Sequence, residues 1–431
     1  MKKSVNIITL GCSKNLVDSE FILKQLEAND YTVKYDSNDK TDVVILNTCG
    51  FINDAKEESI ESILNYVDAK KAGLLDKLYV IGCLSERYKE DLQRDIPEVD
   101  KYFGVNNYEE IVKGINADYK KELVGERVIT TPKHYAYLKI SEGCDRTCSF
   151  CAIPLIRGKH VSKPIEALMA EAKYLVSKGV KELILIAQDL SYYGLDIYKE
   201  QKLSELVEKL SNIEGIEWIR LHYFYPANFP YTIINVIKNN PKVCKYIDIA
   251  LQHISNNMLS KMKRNITKEK TYKLIDDIRT AIPDIHIRTT ILTGHPGETE
   301  QDFYELLEFV KNSRFERLGT FTYSEEENTY AGDEYTDDIP DDVKTKRAEQ
   351  IMEIQQNISA QINSEKIGKI LKIIIDKTEN NYYVGRTEYD SADVDNEVII
   401  KTDKKLKIGE FYNIKIIEAS DFDLIGEVIT S

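Results

Sequence analysis

The sequence predicts an α/β chain with three parts: an N-terminal parallel α/β domain, a central partial (βα)6 barrel and a C-terminal small β-barrel. Two regions predict the first two parts, because each alternates apolar β-rich runs with patterns of helical spacing. The third part is predicted by short β-rich runs that are broken by turn residues. We expect the three parts to span residues 1–122, 130–365 and 366–431.

The composition is typical of a globular protein with two or three domains. The chain has 431 residues, of which 42% are apolar and 30% charged, and its net charge is −14. No run approaches the ~18 consecutive apolar residues of a transmembrane helix. The apolar start, Val5 to Leu10, contains Asn6 and is shorter than the ~7–15 residues of a signal-peptide core. It is therefore interpreted as a first strand, and the expected location is cytoplasmic.

The first region is predicted to contain three strands separated by helices. The predicted strands are VNIITL (5–10), DVVILN (42–47) and KLYVIG (77–82), and the helical patterns are NLVDSEFILKQLEAND (15–30) and DAKEESIESILNYVDAKKAG (54–73). Strands that alternate with helices form right-handed βαβ units, and these units build a parallel sheet.

A cysteine follows each of these three strands: Cys12, Cys49 and Cys83. In a parallel sheet those strand ends lie along one edge, which is where open α/β sheets bind ligands. The alternative is that all three are small buried residues, since free cysteine packs well inside proteins. Three cysteines at equivalent positions of successive βα units favour a common site over that alternative.

The central region is predicted to be an incomplete α/β barrel of six βα repeats. The predicted strands are HYAYLKIS (134–141), ELILIAQ (182–188), IEWIRLHYFY (216–225), YIDIALQ (246–252), IHIRTTILT (285–293) and RLGTFTY (317–323). Helical patterns lie between them, for example at 164–179 and 299–313. The active-site face of such a barrel is formed by the C-terminal ends of its strands.

The remaining residues are predicted to form an acidic connection, a helix and a small β-barrel. The acidic stretch 324–342 is interpreted as a solvated face. A helical pattern follows, and its apolar residues are Ile351, Ile354, Ile358 and Ile362. The predicted strands of the last part are KILKIIID (369–376), YYVGRTEY (382–389), NEVIIKT (396–402) and EFYNIKIIEAS (410–420).

A loop after the first barrel strand, SEGCDRTCSFCAIP (141–154), contains three of the seven cysteines: Cys144, Cys148 and Cys151. A disulfide framework is not expected from an odd cysteine count without an export signal. Structural zinc usually takes four ligands, and the nearest histidine, His160, lies nine residues beyond Cys151. A 4Fe-4S cluster usually takes four thiolates, so three would leave one iron open to another ligand.

The spacing C-x3-C-x2-C resembles that of radical S-adenosylmethionine enzymes, and further motifs resemble the methylthiotransferase family over essentially the whole chain. Those motifs are GCSKNLVDSE (11–20), NTCGFI (47–52), GCL (82–84), EGCDRTCSFCAIP (142–154), QDLSYYG (188–194) and TGHPGETE (293–300). The resemblance implies a radical S-adenosylmethionine barrel in the centre and a TRAM domain at the C-terminus.

The family resemblance also implies two 4Fe-4S clusters and S-adenosylmethionine as cofactors. The ligands it implies are Cys144, Cys148 and Cys151 for one cluster and Cys12, Cys49 and Cys83 for the other. One S-adenosylmethionine would donate a methyl group and another would form a radical, while the second cluster would present the sulfur.

Two motifs, GCSKN (11–15) and FTYSEEENTYA (321–331), resemble the family branch that methylthiolates the β-carbon of an aspartate in a small-subunit ribosomal protein. A transfer-RNA adenosine methylthiotransferase is the alternative within the family. Residues 366–431 carry 10 basic and 13 acidic residues, and this acidic balance suits a basic protein partner better than RNA. A non-catalytic RNA- or ribosome-binding protein with structural zinc is the alternative from another class.

The partners expected from the resemblance are a small-subunit ribosomal protein and an external one-electron donor. We expect a monomer, with no membrane partner and no nucleic-acid substrate. Gln188 and Asp189, at the end of the second barrel strand, could hold S-adenosylmethionine, and Arg288 could reach its carboxylate or ribose if it points inward. A purely structural role of these three residues is equally open. Cys244 is expected to be a packing residue, and no catalytic residue is assigned.

Overall fold

The computed structural model describes residues 3–429 and has the three predicted parts in the predicted order. An α/β part comes first, a larger α/β part with an open barrel follows, and a closed β-barrel ends the chain. Within residues 3–429, every helix is too short or too polar to span a lipid bilayer.

The N-terminal part is a parallel sheet of five strands in the order β2-β1-β3-β4-β5. Its strands are β1 (Ser4–Thr9), β2 (Thr32–Tyr35), β3 (Val43–Thr48), β4 (Lys77–Gly82) and β5 (Lys101–Tyr102), and its helices are α1 (Ser13–Glu27), α2 (Asn53–Lys71), α3 (Cys83–Asp95) and α4 (Tyr108–Gly114). The three predicted strands are confirmed. The sequence reasoning missed β2 and β5, which are short edge strands with partly exposed residues.

Helices cover both faces of this sheet, which explains why β3 is buried along its whole length. Val43 and Ile45 pack with side chains of α1 and α4, whereas Val44 and Leu46 pack with side chains of α2 and α3. Successive residues of a strand point to opposite faces, so a continuous apolar run fits a strand between two helical layers.

The central part is an open barrel of six parallel strands, as predicted. The six barrel strands are β6 (Tyr135–Lys139), β9 (Glu182–Ile186), β10 (Trp218–Leu221), β11 (Tyr246–Gln252), β12 (His286–Thr293) and β13 (Arg317–Thr322), and two short strands, β7 (Ser141–Glu142) and β8 (Val161–Ser162), lie outside the barrel. Two sheets, β6-β9-β10 and β11-β12-β13, are joined by bridges between Ile219 and Val243 and between Phe224 and Ile249. The short strands β7 and β8 form a separate antiparallel pair beside the cysteine loop.

Helices surround the barrel and connect it to the last part. They are α5 (Ile153–Arg157), α6 (Ile165–Ser177), α7 (Leu203–Ser211), α8 (Thr232–Asn239), α9 (Asn256–Lys261), α10 (Lys268–Ala281), α11 (Glu300–Ser313), α12 (Tyr330–Glu334) and α13 (Asp341–Ser364). The predicted helix at Ile351–Ile362 lies in α13, and Ile351 and Ile358 are buried in the central core.

Side chains from the flanking parts fill the lumen of the open barrel. Leu138 and Leu185 point outward and pack in the core that the surrounding helices share. Alternate residues such as Tyr137 point inward and pack with Val17 of α1 and Ala392 of the C-terminal part. The barrel core is therefore completed by both neighbouring parts of the chain.

The C-terminal part is a closed barrel in the order β14-β15-β16-β18-β17, which confirms the predicted small β-barrel. Its strands are β14 (Ile370–Glu379), β15 (Tyr382–Thr387), β16 (Val398–Ile400), β17 (Phe411–Ala419) and β18 (Leu424–Val428). Strand β18 was not predicted. The barrel has its own apolar core, to which Ile373, Ile414 and Leu424 contribute.

The prediction that residues 324–342 form a solvated face is wrong at Glu326, which is 3% exposed. Its carboxylate pairs with Lys56 of α2, at 2.9 Å, and with Arg87 of α3. Without Glu326 these two cations would face each other at a buried boundary, which costs several kcal/mol for an unpaired buried charge. The acidic connection therefore links the central part to the N-terminal part.

Candidate functional site

The three cysteines of the motif loop lie at the C-terminal end of β6, on the predicted active-site face. Cys144 donates its backbone N–H to the carbonyl of Gly158 at 3.0 Å, and Cys151 donates to the carbonyl of Cys148 at 3.2 Å. These bonds fold the loop back on itself before α5. The side chains of all three cysteines are partly buried.

Positive charge and N–H donors surround these sulfur atoms. The Arg264 guanidinium lies 3.0 Å from the Sγ of Cys148, and the Arg146 backbone N–H lies 3.4 Å from the Sγ of Cys144. Burial raises the pKa of the Cys144 thiol to about 12. Cations beside a sulfur favour the thiolate form that binds metal, so this environment suits an anionic ligand set once metal displaces the protons.

The structure brings Cys12, Cys49 and Cys83 to one edge of the N-terminal sheet, as the strand pattern predicted. Cys12 caps the start of α1, Cys49 follows β3 and Cys83 begins α3. A Cβ atom on Gly11 would lie 2.8 Å from the Cβ of Cys49, so the loop after β1 passes directly beside Cys49. Burial raises the pKa of the Cys83 thiol to about 12, while the nearby Arg157 charge acts to lower it.

The donor chemistry of both three-cysteine sets, three sulfur atoms in each, fits an iron–sulfur cluster. Among residues 3–429, no group of three or more His, Cys, Asp or Glu side chains is arranged to hold one ion. A cubane cluster takes one thiolate at each of several irons, so its ligands are spaced more widely than those of one ion. Thiolates are also the ligands that iron–sulfur clusters select.

A buried network of charges connects α1 to the cysteine loop. Arg157 donates to Asp18 of α1 at 3.1 Å and to Glu142 at 2.9 Å, and Lys139 pairs with the same two carboxylates. Burial by itself would raise the pKa of Glu142, but Lys139 and Arg157 lower it well below its usual range. The side chain of Asn15 also contacts Arg157. This network fixes the helix that begins at Cys12 against the barrel.

Gln188 and Asp189 lie at the C-terminal end of β9, close to this network. Gln188 donates from Nε2 to Glu142 at 3.0 Å, and its Oε1 is buried without a hydrogen-bond partner among residues 3–429. Asp189 accepts from Arg146 Nε at 2.7 Å and from the backbone N–H of Ser191 at 2.7 Å. Gln188 thus keeps one free acceptor for a ligand, whereas Asp189 holds the cysteine loop through Arg146.

Arg288 points into the barrel lumen but lies near the start of β12, away from the cysteine loop. Its guanidinium lies 3.5 Å from Asp248 and 3.3 Å from Asp395 of the C-terminal part. Cys244 is fully buried against Trp218 and other apolar side chains at the junction with the C-terminal barrel. The structure does not bring Arg288 or Cys244 to either three-cysteine set.

A cavity of about 180 Å³ is lined by residues that are close in the chain to one cysteine of each set. One wall is formed by Phe51 and Ile52, directly after Cys49, and another by Phe150 of the cysteine loop. The other lining residues are Gln252, Thr290, Leu292, Phe321, Thr322, Tyr323, Ser324 and Glu326. A larger surface depression of about 700 Å³, near Lys101 and Asn107, contains none of the cysteines. The smaller cavity is the better candidate for a ligand, because its lining is mostly apolar and includes Phe51 and Phe150, which are neighbours of Cys49 and Cys151 in the chain.

Sequence reasoning missed the charged residues that surround the two cysteine sets. Arg157 and Arg264 had no spacing signal, because each is brought to the site by the packing of separate elements. Lys14 also approaches the barrel, and its Nζ lies 3.3 Å from the centre of the Tyr223 ring. Its position two residues after Cys12, at the start of α1, was visible in the motif GCSKN, but its contact with the barrel was not.

The chain matches three family profiles in succession. Residues 4–104 match the uncharacterized protein family UPF0004, residues 138–310 match the radical SAM superfamily, and residues 367–429 match the TRAM domain. These three matches fall on the three parts of the fold.

Full-length relatives are similar along the whole chain. A protein of Phocaeicola vulgatus named ribosomal protein uS12 methylthiotransferase RimO is 56% identical over 430 residues, which covers 99% of this chain and 100% of that protein. A protein of Christiangramia forsetii with the same name is 57% identical over 427 residues, covering 99% of this chain and 94% of that protein.

Solved structures of lower identity share the fold. The radical S-adenosylmethionine methyltransferase TsrM of Kitasatospora setae, solved with cobalamin and a [4Fe-4S] cluster, has a TM-score of 0.57 at 13% identity and covers 77% of each chain. The cobalamin-dependent S-adenosylmethionine radical enzyme OxsB has a TM-score of 0.51 at 12% identity, covering 82% of this chain and 56% of that chain. At these identities the likeness concerns the fold alone.

Proposed function

This chain belongs to the ribosomal protein uS12 methylthiotransferase family, and from that premise we propose that it is a radical S-adenosylmethionine transferase that methylthiolates the β-carbon of an aspartate in uS12. The observation that carries the proposal is the placement of two three-cysteine sets, one at an edge of the N-terminal sheet and one at the C-terminal end of the barrel strands, on elements that buried ion pairs of Arg157 join. The relatives support uS12 as the substrate in preference to transfer RNA.

In this proposal Cys144, Cys148 and Cys151 hold a 4Fe-4S cluster. When bound together with S-adenosylmethionine, that cluster would supply one-electron cleavage of the sulfonium to give a 5′-deoxyadenosyl radical. Arg264, 3.0 Å from Cys148, stabilises the negative charge of the thiolates. The loop fold itself holds the sulfur atoms toward the barrel, where the strands end.

We also propose the residues that hold S-adenosylmethionine. Gln188 is the best supported, because its buried Oε1 lacks a protein partner and can accept a hydrogen bond from an ammonium group. Asp189 would act beside it, through its bond to Arg146 at 2.7 Å. A direct contact from Arg288 stays a prediction, and the two carboxylates that pair with it favour a structural role in the lumen.

A second 4Fe-4S cluster, which would present the sulfur, is proposed for Cys12, Cys49 and Cys83. The proposal is supported by their common position at one sheet edge and by the cation of Arg157 beside Cys83. The buried pairs of Arg157 with Asp18 and Glu142 hold this edge against the barrel at a fixed distance. Methylthiolation needs sulfur and radical chemistry at one carbon, so a rigid connection between the two sets serves the reaction.

Further parts of the proposal concern the surroundings of the enzyme. An external one-electron donor, a monomeric state and a cytoplasmic location are proposed because they suit an enzyme that modifies a ribosomal protein. The chain has a net charge of −14, which favours association with a basic protein. Exposed charges are screened over about 8 Å at physiological ionic strength, so salt should weaken binding of uS12.

The test is a parallel assay with two substrates. Protein that has been reconstituted anaerobically with iron and sulfide is given S-adenosylmethionine, a reductant and either uS12 or unmodified transfer RNA, and the products are analysed by mass spectrometry. The expected result is one methylthio group on a single aspartate of uS12. A methylthio group on adenosine, with uS12 unchanged, would assign the chain to transfer-RNA modification instead.

A further inference from the structure

Lys14 is a buried cation without a counter-ion. It is 9% exposed, and among residues 3–429 it has no hydrogen bond or ion pair. Its recorded contact is with the face of the Tyr223 ring, 3.3 Å from the ring centre. By contrast, the buried Lys139 pairs with two carboxylates. A ring face stabilises an ammonium only in part, so a carboxylate that reached the Lys14 Nζ would stabilise it further.

The position of Lys14 on its helix also favours an anion. Lys14 is the second residue of α1, and the first turn of α1 contains no acidic residue. The N-terminus of a helix carries the positive end of the helix dipole, where anions are stabilising and cations are not. The helix dipole and the lysine ammonium therefore both contribute positive electrostatic potential at the start of α1.

Lys14 faces the barrel lumen on the side of the cysteine loop. Its partner ring, Tyr223, follows β10 and packs beside Val17 and other side chains that fill the lumen. Tyr225 is two residues further along, and its hydroxyl lies 3.8 Å from the Sγ of Cys148. Tyr223 and Tyr225 both follow the C-terminal end of β10, so the ammonium of Lys14 lies at the end of the barrel that carries the cysteine loop.

Two carboxylates of the lumen, Asp248 and Asp395, are already paired with Arg288, and a third, Asp393, accepts from the hydroxyls of Tyr135 and Tyr137 at 3.0 and 3.3 Å. Asp248 lies within electrostatic range of Lys14, but it is bonded to Arg288 at 3.5 Å. Asp395 is bonded to Arg288 at 3.3 Å and accepts from the hydroxyl of Tyr246 at 2.7 Å. Lys14 is left as the lumen cation that a carboxylate from outside can neutralise.

We propose that Lys14 binds the side-chain carboxylate of the substrate aspartate, an assignment that rests on the function proposed above. In aspartate the β-carbon is bonded directly to that carboxylate, so a cation that holds the carboxylate fixes the reacting carbon one bond away. Such positioning is what brings a reacting atom to its partner in the correct orientation. A hydrogen bond between charged groups changes binding by roughly ten- to hundredfold.

The test is a double-mutant cycle on binding to the reconstituted holoenzyme. The modified aspartate of uS12 is first identified by mass spectrometry and then replaced by asparagine. Labelled uS12 in both forms is titrated with wild-type enzyme and with the Lys14→Met, Lys14→Arg and Lys121→Met variants. Lys121 is an exposed lysine of the same part of the chain and serves as the matched control. Iron per chain and cleavage of S-adenosylmethionine without uS12 are measured for every variant.

We expect wild-type enzyme to bind the asparagine form about ten- to hundredfold more weakly than the aspartate form. Lys14→Met should bind the aspartate form as weakly as wild-type enzyme binds the asparagine form, and it should bind the asparagine form no more weakly than that. Lys14→Arg should restore most of the preference for the aspartate form. Lys121→Met should behave like wild type. The iron content and the substrate-free cleavage of S-adenosylmethionine should be the same in every variant. This result would distinguish a role of Lys14 in binding uS12 from a role in positioning the neighbouring Cys12.

Three results would overturn the assignment. The first is independent, additive losses from Lys14→Met and from the asparagine substitution. The second is loss of iron in Lys14→Met, which would assign the lysine to the cluster edge beside Cys12. The third is weaker binding of S-adenosylmethionine by Lys14→Met, which would assign the lysine to that carboxylate. If wild-type enzyme transfers no methylthio group to uS12, the proposed function itself fails, and this control is recorded before any variant is compared.

Discussion

At the scale of single residues, the site depends on cations placed beside sulfur. Arg146 and Arg264 both stack on the ring of Tyr225, and each guanidinium lies 4.2 Å from the centre of that ring. Arg264 also reaches the Sγ of Cys148. The ring keeps both guanidinium groups in place, and their charge favours an anionic ligand set in the loop.

A first prediction concerns the independence of the two cysteine sets. Replacing Cys144, Cys148 and Cys151 together by alanine should leave about half of the iron, since the other set lies on a separate sheet edge. Iron is measured per folded chain after anaerobic reconstitution. Replacing the packing cysteine, Cys244, by alanine is the control and should leave all of it. Complete loss of iron from a folded triple variant would contradict the assignment of two clusters.

A second prediction concerns the pH dependence of stability at Lys366. Burial lowers the pKa of Lys366 to about 8, and its Nζ has no hydrogen-bond partner among residues 3–429. Below pH 8 Lys366 is charged in both the folded and the unfolded chain, so the folded state carries the full desolvation cost of this buried ammonium. As the pH rises above 8, Lys366 loses its proton in the folded chain before it does so in the unfolded chain. The free energy of unfolding therefore increases with pH, and the desolvation cost of the buried ammonium disappears.

Lys366→Met should therefore raise the melting temperature at pH 7, by the equivalent of about 3 kcal/mol. The gain over wild type should shrink toward zero as the pH approaches that of an unfolded lysine. Thermal melts at several pH values measure this difference. A gain that is the same at every pH would mean that the pKa of Lys366 is not lowered by folding.

At the scale of elements, the cysteine loop is held by backbone contacts with the strand pair β7–β8. Gly143 has φ +71°, and a Cβ atom there would lie 2.1 Å from the carbonyl oxygen of Lys159. Gly158 has φ +73°, but nothing lies within 4 Å of its Cβ position. The loop can close over the barrel only because a residue without a side chain precedes Cys144.

The third prediction compares these two glycines. Gly143→Ala should displace the loop and lower the iron bound by Cys144, Cys148 and Cys151, because both the backbone strain and the clash oppose the native fold. Gly158→Ala introduces a similar strain without the clash and should retain most of the iron. Iron content and cleavage of S-adenosylmethionine measure the effect. Equal losses in both variants would show that the contact with Lys159 is unimportant.

At the scale of the whole molecule, the C-terminal barrel is part of the core of the central barrel. Arg317 pairs with Asp390, and Ser391 bonds to His222 at 2.7 Å. Arg386 pairs with Glu182 of β9 at 2.6 Å. Breaking a buried ion pair by removal of one partner typically costs about 3–5 kcal/mol. A domain attached through several such pairs is not an independent arm.

The fourth prediction follows from these pairs. A chain that ends at residue 365 should lose substrate-free cleavage of S-adenosylmethionine together with methylthiolation, because Arg317 loses Asp390 and Glu182 loses Arg386. Circular dichroism melts and the cleavage assay measure both effects. Neutralising exposed acidic residues of the barrel, as in Asp403→Asn and Glu418→Gln, is the control and should leave the melting temperature unchanged. A truncated chain with full cleavage activity would show that the barrel serves only for docking.

The sequence by itself determined the α/β class, the order of the three parts and most strands. It also placed Cys12, Cys49 and Cys83 together, because strand ends in a parallel sheet share an edge whatever the packing around them. Cys144, Cys148 and Cys151 were also predicted to lie together, because only two or three residues of one loop separate them. Short edge strands such as Lys101–Tyr102 carried too few residues to give a pattern.

Only the tertiary structure decided which charges meet. The partners in the pair Lys56–Glu326 are 270 residues apart, and those in Arg317–Asp390 are 73 apart. Charged residues have no periodic signal, and most of them are solvated, so the sequence predicted a solvated stretch around Glu326. Burial reverses that outcome, because a carboxylate inside the protein is stable only beside a cation that packing brings to it. The same packing left Lys14 inside the barrel without such a partner, and no pattern in the sequence distinguishes that lysine from the exposed ones.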